Sequence, residues 1–91
     1  MNIDEILAER GKTHGKFREH AKVSQELKEA ISCHFDTHAN SLSPQQQEAL
    51  EMICHKIARI VAGNPNFVDH WRDIAGYATL VADELEGQND D

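Results

Sequence analysis

Apolar residues recur along this chain at intervals of three and four, the period of an α-helix. From Asn64 to Glu86 (NPNFVDHWRDIAGYATLVADELE), the residues Phe67, Trp71, Ile74, Ala78, Val81 and Leu85 step by four, three, four, three and four. That spacing predicts a helix of about six turns with one buried stripe. On another face Asp69, Asp73 and Tyr77 follow at intervals of four and therefore stack. Ala75, Gly76, Ala78, Thr79 and Ala82 make part of this helix thin. A Gly inside a helix costs about 1 kcal/mol against Ala, so Gly76 points to close approach by another backbone or a ligand.

The same period extends towards the N-terminus. Ile3, Ile6 and Leu7 predict a short first helix from Asn2 to Arg10, with Asp4 and Glu5 placed well near its start. Gly11 and Gly15 bracket GKTHG, read as a polar turn. Lys16 to about Phe35 reads as a long helix with Phe17, Ala21, Ser24, Leu27 and Ile31 facing inwards. DTHANSLS, Asp36 to Ser43, is a loop by composition, and Ser43 with Pro44 is a strong helix start. The third substantial helix runs from Pro44 to about Ala62, its core stripe being Leu50, Ile53, Ile57 and Ile60, widened by Met52, Ala58 and Val61. Gly63 stops it, and Asn64-Pro65-Asn66 turns the chain. The expected class is all-α: a small bundle of three main helices plus a short N-terminal one, in a single domain over residues 1–86, with a disordered acidic tail at 87–91.

Composition narrows this picture. With 91 residues, 5% of them aromatic, a monomer buries only about 60–65% of its unfolded surface, so association with a second copy is expected to complete the core. A net charge of −7, from 16 acidic and 9 basic residues without evident basic clustering, argues against direct DNA or RNA binding. Two cysteines make no disulfide framework. No apolar run suits a secretory leader or a membrane span, so a cytoplasmic protein without membrane contact is expected.

Candidate chemistry lies on the last two helices. Glu48 and Glu51 are one turn apart on the third helix, and Asp69 and Asp73 one turn apart on the fourth. The short GNPN connection predicts that these helices run antiparallel and side by side. Carboxylates converging between them would suit Mg²⁺ or Mn²⁺. Lys56 and Arg59 are candidates to neutralise phosphate, and Tyr77 to hydrogen-bond Asp73 or stack on a base. The spacing alone is equally that of solvated faces and a surface ladder Glu51–His55–Arg59. Cys33, His34 and His38 lie close together, as do Cys54 and His55, but no pair of paired spacings forms a zinc motif.

ERGKTHGKF, LSPQQQEALEMICHKIARIVAGNP and DHWRDIAGYATLVADEL resemble a family of small uncharacterised phage and prophage proteins. Such proteins typically carry an Arg…Tyr-Gly segment, a Lys-Ile-Ala-Arg helix and Asp-x-x-x-Asp-Ile-Ala-Gly-Tyr-Ala. Here these are Arg10 with His14-Gly15, Lys56 to Arg59, and Asp69 with Asp73 to Ala78; His14 stands in place of the Tyr. The last two helices are also similar to the MazG-like all-α nucleoside triphosphate pyrophosphohydrolases. That group forms helical dimers or tetramers and binds Mg²⁺ through Glu-x-x-Glu on one helix and Glu-x-x-Asp on the next. Glu48 and Glu51 match the first motif, while Asp69-x-x-x-Asp73, with His70 where an acid is expected, departs from the second.

The resemblance implies a helical scaffold that binds a nucleotide or nucleotide-derived signal with Mg²⁺. If the scaffold is active, it would release pyrophosphate from a (d)NTP, with Glu48, Glu51, Asp69 and Asp73 on the metal and one glutamate orienting water. The alternative is a non-catalytic host-takeover or counter-defence protein in the host cytoplasm, acting on a host protein through an acidic surface.

Overall fold

Capping decides where the helices begin. In the computed structural model, which describes residues 2–35 and 41–89, the chain forms α1 (Ile3–His14), α2 (Phe17–Ser32), α3 (Pro44–Ala62) and α4 (Val68–Asn89), with no strand among the described residues. Asn2 Oδ1 accepts the Glu5 N–H at 2.8 Å and starts α1. Ser43 and Gln46 form a reciprocal capping box ahead of α3, with Pro44 at the first helical position.

Two boundaries differ from expectation. α1 continues through Gly11 to His14; Gly11 keeps helical backbone, and a side chain there would meet nothing within 4 Å, so no close approach calls for glycine. Among the described residues only Gly15 takes a positive φ, of 80°, and its N–H bonds to Gly11 O at 3.1 Å. At the other end α4 runs on to Asn89 instead of fraying after Leu85. The greater part of the 36–43 loop, with His38, and the last residues of the acidic tail lie outside the described residues.

The hub is α3. α2 and α4 pack on either side of it without close backbone approach to one another. The buried apolar residues among those described, Ala49, Cys54 and Ala58, all sit on α3 and are small, which lets both neighbours close in. Ile53, Ile57 and Ile60 are half-buried around them, whereas Leu50 and Val61 are exposed.

The apolar stripe read on α4 is split. Phe67, Ile74 and Val81 turn towards α3 together with His70 and Tyr77, while Trp71, Ala78 and Leu85 remain exposed. The face in contact is therefore rotated by part of a turn, and a buried histidine holds the place expected for tryptophan. A Cβ at Gly76 would meet nothing within 4 Å beyond its own stretch of helix. On α2, Phe17 is 77% exposed, and His20 and Ser24 are the buried positions. The chain is elongated: its radius of gyration is 15.6 Å, against about 12 Å for a compact domain of this length. No helix among the described residues is long and apolar enough to cross a membrane.

Candidate functional site

Two glycines set the site. A Cβ on Gly15 would lie 2.1 Å from the carbonyl oxygen of Ala62, and one on Gly63 would lie 2.4 Å from the carbonyl carbon of His14. The α1–α2 turn thus crosses the end of α3 backbone against backbone, which only glycine permits. Thr13 O, just before the crossing, accepts the Asn64 N–H at 3.0 Å and the His70 ring at 2.8 Å. Since a carbonyl only accepts, His70 carries its proton on Nε2. This buried contact ties α1 to α4 and explains why a histidine occupies the packed face.

The crossing opens a cleft of about 650 Å³ between α1, α2 and α3. Leu7, Arg10 and His14 line it from α1, Phe17 and His20 from α2, and His55 and Arg59 from α3, with Lys16 at the turn. Helical spacing puts each set on one face. None of the lining residues is acidic, although the chain as a whole carries a net charge of −7. Phe17 meets His20 edge-on at 5.3 Å between ring centroids, and His14 meets His70 similarly at 4.9 Å.

Electrostatics follow from this one-sided lining. Burial, then the Arg59 charge, lowers the His14 and His55 pKa values to about 4 each. His20 is shifted the same way by the same two causes. Arg59 holds its proton less tightly than usual, first through burial and then through Arg10, with Asp73 and Tyr77 opposing. Its Nε is buried without a hydrogen-bond partner, as is His20 Nδ1. The Thr13 hydroxyl donates to Arg10 O at 3.2 Å and so accepts from His14 Nδ1 at 2.6 Å, leaving His14 Nε2 as a free acceptor. Near neutral pH the cleft therefore presents fixed cations with neutral imidazoles around them.

The residues read as a metal site go to separate places. Glu48 lines the α3–α4 groove with Tyr77 and Leu80, and Glu51 lines the α2–α3 groove with Lys28 and Ser32. Asp69 is exposed in the first turn of α4. Asp73 Oδ2 accepts from Lys56 Nζ at 2.9 Å. Among the described residues of the single chain, no group of three or more His, Cys, Asp or Glu is placed to hold a metal ion. Of the two expected phosphate ligands, Lys56 is engaged with Asp73 and Arg59 is in the cleft. Tyr77, half-buried against α3, lies away from that cleft.

Arg10 and His14 were named in the sequence only as part of the Arg…His-Gly segment, and Lys16 and His20 were not expected at a site. The available signal was local: four of the nine basic residues, Arg10, Lys12, Lys16 and Arg18, fall within nine positions. A model of an uncharacterised family, described as a domain of unknown function (DUF6378), matches residues 3–85. The chain belongs to the DUF6378 family. No curated protein and no solved structure matches it. The DUF6378 match spans α1 to α4 and includes every residue of the cleft.

Proposed function

We propose that this DUF6378 protein binds a small phosphate-bearing ligand of nucleotide size in the α1–α2–α3 cleft. The observation that carries the reading is Arg59: a half-buried guanidinium whose Nε is buried and unpartnered, beside Arg10, in a cleft lined by no carboxylate. A buried donor left without a partner is costly, and an anion bound at that point would remove the cost. Arg10 and Lys16 would share the charge, and the imidazoles of His14, His20 and His55 would take up protons as the anion enters. Leu7 and Phe17, exposed at the rim, offer apolar surface for a base or similar flat group.

The reading is binding, not turnover. Glu48, Glu51, Asp69 and Asp73 line other surfaces, so no carboxylate stands ready to orient water or hold a metal at the cleft. The MazG-like resemblance supports a nucleotide as the class of ligand, and the phage-protein resemblance is compatible with capture of a signalling nucleotide.

The test is a thermal-shift panel of pyrophosphate, linear nucleotides and cyclic nucleotides in chelator, repeated with Mg²⁺. A ligand at 100 times its dissociation constant adds about 2.7 kcal/mol, or about 10 °C and more for a domain this small. The proposal predicts a shift that persists in chelator. No shift with any phosphate compound would overturn it and favour a basic protein partner for the acidic face of α4.

A further inference from the structure

A second surface lies on α4. Val68, Trp71, Ala75, Ala78, Ala82 and Leu85 step by three, four, three, four and three, the a/d pattern of a coiled-coil seam. All six are exposed, Val68, Trp71 and Leu85 by 50%, 54% and 42%. The helix packs on α3 through the neighbouring face, which holds His70, Ile74, Tyr77 and Val81. The polar atoms of Trp71 and Thr79 turn back into the chain: Trp71 Nε1 donates to Pro65 O at 2.8 Å, and Thr79 Oγ1, at the edge of the seam, donates to Ala75 O at 2.7 Å. Both leave hydrocarbon to face outwards.

We infer that this seam is covered by α4 of a second copy of the same chain, running antiparallel. Charge selects the direction. Asp69 and Arg72 flank the seam at the Trp71 end, and Asp83 and Glu86 flank it at the Leu85 end, so the first end is near neutral and the second acidic. Antiparallel pairing sets each acidic end against the partner's near-neutral end with its Arg72, whereas parallel pairing sets the two acidic ends against each other. Opposed helix dipoles favour the same arrangement. Size agrees as well: the antiparallel layers pair Val68 with Leu85, Trp71 with Ala82, and Ala75 with Ala78, so the one bulky ring meets a methyl group.

Sedimentation velocity of the full chain over a concentration series, with reductant because Cys33 is exposed, tests this inference. A dimer is expected for the native sequence. Ala78→Glu should weaken it on the order of tenfold or more while leaving helicity unchanged, since that position is exposed in the single chain. Arg72→Glu should also weaken it, and adding Asp83→Lys with Glu86→Lys should restore it. A monomer at every concentration, or a dimer indifferent to Ala78→Glu, overturns the seam. Failure of the charge exchange to restore association overturns the antiparallel direction.

Discussion

Lys56 and Arg59 stand one turn apart on α3, and among the described residues Lys56 alone of the two forms an ion pair with a carboxylate: its Nζ lies 2.9 Å from Asp73 Oδ2, while Arg59 Nε is buried and unpartnered. The two cations were equivalent candidates for phosphate on spacing. Their surroundings separate them, one clamping α3 to α4 and the other facing a cleft without acids.

Asp73→Asn should therefore act on stability. It leaves an ammonium whose side chain is only 12% exposed without its partner, at a cost on the order of 1 kcal/mol. The Lys56 hydrogen bond lowers the Asp73 pKa, so this contribution is present above the ordinary carboxylate pKa and is lost as pH falls through the folded value. Urea unfolding at pH 7 should show the loss, and anion binding in the cleft should be unchanged.

Glycine substitutions should differ in sign. Gly15→Ala and Gly63→Ala each force a Cβ into backbone atoms at 2.6 Å or less and should destabilise by more than about 2 kcal/mol. Gly76→Ala, in open space within α4, should stabilise by about 0.5–1 kcal/mol. Thermal unfolding of the three variants checks this directly.

Stability should fall with acid from a second cause. The His14 and His55 pKa values are about 4 in the fold and about 6.5 unfolded, so between those values the unfolded chain binds more protons. Their contribution is complete above about pH 6.5 and is lost as pH falls towards 4. Urea midpoints at pH 7 and pH 5 should differ accordingly. NMR titration of the imidazole protons should place these two residues near 4 without ligand and higher with a bound phosphate compound.

Much of the fold was legible because helical period and capping are local. The Ser43–Gln46 box and the Pro44 start could be read from adjacent residues. The rotation of α4 could not, because residue type misleads there: His70 is buried through one hydrogen bond to Thr13 O across 57 positions, and Trp71 is apolar yet exposed. The candidate site was obscured for a related reason. Its cations come from three helices, and their counterpart is an absence of acids, which has no spacing to detect. Arg59 alone of the expected residues lies in the cleft.

The most direct test of the account compares the native protein with Arg59→Met by thermal unfolding, in chelator, with and without a nucleoside triphosphate. Replacing a half-buried cation whose Nε lacks a partner by a side chain of similar reach should leave the free protein as stable or more so, and should abolish the ligand-induced rise seen in the native chain. An Arg59→Met protein that is less stable without ligand, yet gains the same rise with it, would contradict the account: Arg59 would then hold the fold together and the anion would bind elsewhere.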